Sequence, residues 1–359
     1  MVGKVRVLVL LETADEASAM LELAAEVDAA TDIDQEICSF RRPGEETFGM
    51  DVRWLGGTSR LDPRPYRRLY RLLDDVDVVH AHPIAVGAVA RVFAAIRNVP
   101  VIKTEHNTHS DYSHLKNFVN GTTNCLSDVV VTVSESTAAD LRRWQRGLLR
   151  LAGVETVVIP NGINIDAVRE ATSSPPVTLP DGVRIGAGGR HVPQKNLQTL
   201  IEVAAVLVEE YPTLQLVITG EGPLSPALKR RVDELSLGGH VTFTGYLPER
   251  SSVHAVLGEL DAYAMPSRHE GCPVAAIEAM AAGLPVVASD IPSLREVLGD
   301  AGVYAPVDDS RAFASALRTL LDDDEERQRR SAVATERAEE FHIDRTVAEY
   351  ERLYRRLGE

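Results

Sequence analysis

Apolar residues in this chain gather into short runs separated by stretches of helical period. In the first half the runs are Val5 to Leu11, Val76 to His80, Val99 to Thr104 and Val129 to Val133. In the second half they are Arg184 to Ala187, Leu214 to Thr219, Val241 to Thr244, Ala262 to Met265 and Pro285 to Ser289. Strands alternating with helices predict parallel sheets covered on both faces, an α/β class. A chain of 359 residues is long enough for roughly two such domains, each with its own core. The Ser/Pro-rich passage Thr172-Ser173-Ser174-Pro175-Pro176 is of linker type and marks the predicted break. Near the end, Val347, Tyr350, Leu353, Tyr354 and Leu357 form a helical stripe that must be buried somewhere.

Against that pattern one stretch carries chemistry: His269-Glu270-Gly271-Cys272-Pro273-Val274-Ala275-Ala276-Ile277-Glu278. Gly271 lets backbone approach a ligand, and Pro273 suits the first helical position, where its missing N–H costs nothing. A helix starting there presents free N–H groups and a positive dipole end, which favour an anion such as phosphate. Glu270 and Glu278 would repel a phosphate they touched, so they are read as acceptors for hydroxyls at its two ends. A sugar nucleotide has that layout. An ordinary loop and amphipathic helix would look the same if this stretch stood alone.

It is accompanied by Gly186-Ala187-Gly188-Gly189-Arg190, which ends a strand-like run, and by Lys195-Asn196 ahead of a helical period from Leu197 to Tyr211. Asn196 is the expected N-cap. Arg190 and Lys195 then lie in a loop above the strand's carboxyl end, where open α/β sheets bind ligands, and could neutralise a diphosphate. Further on stand Gly220-Glu221-Gly222-Pro223-Leu224, Thr244-Gly245-Tyr246-Leu247, Met265-Pro266-Ser267 and, earlier, Pro160-Asn161-Gly162-Ile163.

Together these motifs resemble the retaining glycosyltransferases of family 4, with the GT-B fold, over nearly all of residues 155 to 325. The two-glutamate motif is complete. The resemblance implies two Rossmann-like domains facing across a cleft. Residues 1–171 with 341–359 would form an acceptor-binding domain, and 172–340 a donor-binding domain; the terminal helix would cross back to the first. It implies transfer of a hexose from a UDP- or GDP-linked donor to an acceptor hydroxyl, in glycolipid, glycan or polysaccharide synthesis, with no cofactor and no metal. Arg190 and Lys195 would hold the diphosphate, Glu270 a hydroxyl of the transferred sugar and Glu278 the ribose. Amides of Gly271, Cys272 and Val274 around Pro273 would complete the cradle, with Glu221 and Tyr246 also at the donor. His106, in Lys103-Thr104-Glu105-His106-Asn107 at a strand end, would contact the sugar near the reacting carbon. Rival readings on the same fold are a sugar-nucleotide 2-epimerase and a non-catalytic sugar-nucleotide-binding subunit. One departure stands out: family members place glycines after the first strand, whereas residues 10–18 here contain none, leaving Thr13 or Ser18 to supply a hydroxyl, or the loop to face an unusual acceptor.

Charge narrows the partners. With 53 acidic and 38 basic residues, a net charge of −15, the chain lacks the basic footprint of a nucleic-acid binder. An acidic surface with only five lysines is compatible with a high-salt cytoplasm, so a halophilic source is a working hypothesis. No charged leader or span of ~20 apolar residues occurs, which places the protein in the cytosol as an expectation. Cys38, Cys125 and Cys272 are too scattered for a disulfide framework or a zinc site, and Cys272 reads as a small residue packed under a loop. His80-Ala81-His82 has a metal-like spacing without further ligands to accompany it, and Asp32-Ile33-Asp34 and Asp75-Val76-Asp77 read as chance. Two stretches are locally basic: Arg64, Arg67, Arg68 and Arg71 around Tyr66 and Tyr70, and Arg142, Arg143, Arg146 and Arg150 around Trp144. Basic amphipathic helices of this kind suit the inner face of an anionic membrane and a lipid-linked acceptor, or equally a solvated face whose arginine stems cover apolar surface.

Overall fold

The computed structural model describes residues 4–14, 18–44, 47–108, 112–173 and 178–359. The chain forms two compact units, Met1–Gly162 with Ile343–Glu359 and Ile163–His342.

The first unit is built on a parallel sheet of β1 (Arg6–Leu11), β2 (Asp34–Ser39), β3 (Val52–Trp54), β4 (Val78–Ala81), β5 (Val101–Glu105), β6 (Val129–Thr132) and β7 (Glu155–Val158), in the order β3-β2-β1-β4-β5-β6-β7. Strand periodicity sends alternate side chains to opposite faces. Val7, Val9 and Leu11 of β1 enter one core, and Leu8 and Leu10 enter the other. Each fully buried Leu or Ile stabilises by about 1.5–3 kcal/mol, so a one-residue slip would be costly on both faces. The predicted terminal stripe is the helix Ile343–Gly358, and its Val347, Tyr350, Leu353 and Tyr354 are buried in the first of these cores.

The second unit repeats the plan with β8 (Arg184–Gly188), β9 (Gln215–Thr219), β10 (Val241–Gly245), β11 (Ala262–Met265), β12 (Val286–Ser289) and β13 (Gly302–Ala305), ordered β10-β9-β8-β11-β12-β13 and again parallel. Strand order reverses between β1 and β4 and between β8 and β11. These are the topological switch points beside which open α/β sheets bind ligands.

All nine predicted runs lie in these sheets, with ends moved by a residue or two; Val76 to His80, for instance, becomes Val78–Ala81. β2, β3, β7 and β13 carried no apolar-run signal. β2 opens on Asp34, Gln35 and Glu36, β13 is short and opens on glycine, and β3 and β7 are half-exposed edge strands that need no continuous apolar run. The chain enters the second unit at Ile163, ahead of the Ser/Pro passage, of which Ser174, Pro175 and Pro176 lie outside the described residues. The reason is the helix Ile165–Ser173: it packs on the helix Arg250–Leu257, close enough that a Cβ on Gly258 would come 2.7 Å from Thr172 O. Among the described residues no helix is long and apolar enough to cross a membrane.

Candidate functional site

In the second unit, the loops leaving β8, β9, β10 and β11 at their carboxyl ends are stitched into one cradle. Gly189 N–H donates to Thr219 O (3.2 Å), His191 N–H to Glu221 O (3.0 Å) and Gly220 N–H to Gly245 O (2.9 Å). The backbone runs so close that a Cβ on Gly220 would stand 2.3 Å from Gly189 O, and one on Gly222 2.6 Å from His191 O. His191, 1% exposed, bonds Ser225 Oγ through Nδ1 (2.9 Å), and the same hydroxyl accepts from Gly222 N–H (2.9 Å). The β8 loop is also pinned to the β11 loop: Gln194 Nε2 donates to His269 O (3.0 Å), and Arg268 Nη1 to Pro193 O (2.7 Å).

Asn196 occupies the cap position but does not cap. Its backbone is left-handed (φ 52°, ψ 35°), which turns its side chain away from the helix amides, and Nδ2 donates to Pro266 O (3.1 Å) instead. The helix it precedes, Leu197–Leu207, ends before the predicted Tyr211.

Lys195 Nζ lies 2.7 Å from Glu270 Oε1, with both side chains largely buried. The cation expected at a diphosphate and the carboxylate expected at a sugar hydroxyl thus touch each other across the switch point. Arg190 is exposed in the same loop. The helix expected from Pro273 is Val274–Ala281, with Pro273 at its cap. Pro273 adopts φ −78°, ψ 78°, an inverse γ-turn in which Val274 N–H donates to Cys272 O (2.9 Å). Val274 N–H is thus engaged within this turn. Cys272 is half-buried and packs against the unit's core.

Glu278 is 7% exposed on the buried face of that helix. Its Oε1 is reached by Arg250 Nη2 (2.8 Å) and His254 Nε2 (3.0 Å), from one face of the helix Arg250–Leu257. Burial alone would raise the Glu278 carboxyl; the Arg250 charge and the His254 hydrogen bond outweigh it and hold it at about 2. Tyr263 on β11 is buried within electrostatic reach of both glutamates. Burial, then the Glu278 and Glu270 charges, push its phenol well up, so it keeps its proton, and the Gly188 backbone lies against its hydroxyl. Glu221 is exposed, its Oε1 3.3 Å from where a Gly245 Cβ would be, and Tyr246 is 53% exposed.

The first unit holds a second polar cluster at its own switch point. His106 Nε2 and His82 Nδ1 are 2.8 Å apart with their rings stacked, and His80 bonds Tyr354 OH (2.6 Å) and Thr104 Oγ1 (2.8 Å). Lys103 Nζ, 1% exposed, donates to His82 O (2.9 Å) and lies 3.7 Å from Glu105 Oε2. Burial, with Lys103 nearby, pushes all three histidines below the ordinary range, and burial brings Lys103 itself to about 8 despite Glu105. The histidine pair is thus occupied by hydrogen bonds to protein. Among the described residues no cluster of His, Cys, Asp or Glu is arranged to hold a metal ion. After β1, Glu12 pairs with Arg60 (2.9 Å) and Arg41 (3.3 Å), Thr13 is exposed, and residues 15–17 of that glycine-free loop lie outside the described residues.

Sequence reasoning did not reach Tyr263, Arg250 or His254. The Arg250/His254 spacing of one helical turn puts both on one face, but nothing in the sequence says which face meets Glu278. Tyr263 sits inside a strand-like run, where an aromatic residue reads as core.

Residues 180–337 match the family model described as glycosyl transferases group 1, and residues 17–167 the model described as glycosyltransferase family 4. A phosphatidyl-myo-inositol mannosyltransferase of Mycolicibacterium smegmatis is 28% identical over 300 residues, covering 82% of this chain and 75% of its own. A glycogen synthase of Mycobacterium tuberculosis is 31% identical over 339 residues, covering 89% and 80%. In structure, Anabaena HepE in complex with UDP and glucose superposes with a TM-score of 0.81 at 18% identity, over 97% of this chain and 98% of that one. The paired parallel sheets and the two consecutive family matches lead to one assignment: the chain belongs to the group 1, family 4 glycosyltransferases and has the GT-B fold.

Proposed function

We propose that this protein moves a hexose from a UDP- or GDP-linked donor to an acceptor hydroxyl with retention of anomeric configuration and without a metal. The observation that carries this reading is the Lys195–Glu270 pair, 2.7 Å apart above the β8/β11 switch point, with Glu278 held ionised on the helix that follows. On this reading the donor diphosphate takes over Lys195 and recruits Arg190, freeing Glu270 to accept from a sugar hydroxyl while Glu278 accepts from the ribose. Tyr263, which keeps its proton beside the Gly188 backbone, supplies a further donor at this end of the sheet. The acceptor hydroxyl attacks the anomeric carbon on the side from which the diphosphate leaves; the C–O bond to phosphate breaks, and a leaving phosphate oxygen takes the proton. No carboxylate acts as nucleophile. Protein cations aimed at the departing charge replace the metal other transferases use. By the family resemblance His106, hydrogen-bonded to His82, is the first unit's candidate residue for recognising the transferred sugar.

The relatives' names support two acceptor classes, a phospholipid and a glucan. The helix Pro63–Leu72 favours the lipid. Its Arg67 and Arg71, with Arg60, rim a hollow of ≈ 670 Å³ floored by Tyr66, Tyr70 and Phe93, which suits peripheral contact with an anionic membrane. Sedimentation with phosphatidylglycerol vesicles at low salt, lost at high salt, is the expected result; no binding at low salt removes the membrane contact.

The donor is tested by thermal shift with UDP-, GDP- and ADP-sugars, since a ligand at 100 times its Kd adds about 2.7 kcal/mol. Product anomeric configuration by NMR tests retention, and turnover in EDTA tests metal independence. Conversion of the donor sugar without acceptor would favour an epimerase, and donor binding without any turnover a non-catalytic subunit.

A further inference from the structure

Resting on the donor reading above, we propose that Arg250 and His254 are positioning residues that aim the Glu278 carboxylate at the two ribose hydroxyls of the donor. Both donors converge on one oxygen, Arg250 Nη2 at 2.8 Å and His254 Nε2 at 3.0 Å from Oε1. The three side chains are 13%, 6% and 10% exposed. An ionised carboxylate offers acceptor sites on two oxygens. Concentrating both protein donors on Oε1 leaves Oε2 to take the diol. Because the carboxylate only accepts, His254 is the donor of this bond, through Nε2.

Glutamate is a rotamer-rich side chain, and ordering it at the moment of binding weakens affinity. Here that ordering is done in folding. The helix Val274–Ala281 brings Glu278, and Arg250–Leu257 brings its two holders, four residues apart and so on a common face. Arg250 also offsets the burial that would otherwise protonate Glu278, which keeps the carboxylate an acceptor across the physiological range.

The test uses nucleotide binding alone, so the acceptor need not be known. UDP, GDP and ADP are titrated calorimetrically into wild type, Arg250→Ala, His254→Ala, His254→Gln and Glu278→Gln, beside their 2′,3′-dideoxy counterparts. Wild type should prefer the ribose form. The alanine variants should lose that preference by weakening the ribose form on the order of tenfold, the effect of one charge-assisted hydrogen bond, with the dideoxy form unchanged. His254→Gln, which keeps a donor, should recover part of the preference. Equal weakening of both forms, or no change, would assign Arg250 and His254 to packing and overturn the proposal. A wild type that binds nucleotide without preferring ribose overturns it too and leaves the donor reading standing, whereas binding of none of the three nucleotides overturns both. Should an alanine variant fail to fold, His254→Gln and Glu278→Gln still decide the matter.

Discussion

Lys195 and Glu270 are each other's partner, and that shapes what their removal does. On the proposed donor reading, truncating Lys195 takes a donor from the leaving diphosphate; it also leaves Glu270, 6% exposed, without its counter-charge. Lys195→Ala should lower kcat on the order of 100- to 1,000-fold, the usual effect of losing one preorganised donor to developing negative charge. Arg190 is exposed and among the described residues shares no such pair, so Arg190→Ala should give a similar loss of rate with the melting temperature unmoved. Steady-state kinetics with donor confirmed, together with thermal unfolding, separate the two. Wild-type turnover in either variant would remove that residue from the leaving-group role.

The site is assembled by elements before it is equipped by residues, because its four loops are held by their own backbone. Among these loops Gly220 makes the tightest approach to another loop's backbone. It has φ +94°, and an added Cβ would lie 2.3 Å from Gly189 O, a backbone atom with no easy way to move. Gly220→Ala should therefore destabilise by about 1–3 kcal/mol through strain and weaken nucleotide binding by displacing the Gly189 loop that carries Arg190 and Lys195. Unfolding in urea and calorimetry would measure the two effects; unchanged nucleotide affinity would mean that the β8 loop does not form the donor site. The same scale shows what was legible in the sequence. Nine strands announced themselves because both faces of a parallel strand are buried, and Glu270, Arg190 and Lys195 were locatable because strand ends and a helix start fix where loops stand. Asn196 was misread because a left-handed backbone cancels its capping. Arg250 and His254 escaped notice because contact between two helices far apart in sequence depends on which faces pack, and local pattern does not carry that.

At the scale of the whole molecule, the terminal helix Ile343–Gly358 ties the end of the chain to the first unit's histidines: Tyr354 bonds His80, and Tyr350 OH lies 3.1 Å from Thr104 Oγ1, which His80 also reaches. His80, His82 and His106 are kept below their ordinary pKa chiefly by burial, with the Lys103 charge acting in the same direction. The sign of the linkage follows. Below the ordinary histidine value of about 6.5 the unfolded chain takes up protons that the folded chain refuses, so stability is present above that pH and is lost as pH falls through and below it. Each histidine held neutral adds up to about 1.4 kcal/mol per pH unit to that slope. The unfolding free energy of the first unit, followed in urea between pH 7.5 and 5, should fall with such a slope, and His82→Gln should flatten it by one histidine's share. Tyr354→Phe should act differently: it removes a partner of His80 without removing a titrating group, so it should lower stability at every pH with the slope retained. A slope equal in wild type and His82→Gln would show that the ring takes up its proton in place, and would remove the buried histidine cluster as the source of acid sensitivity.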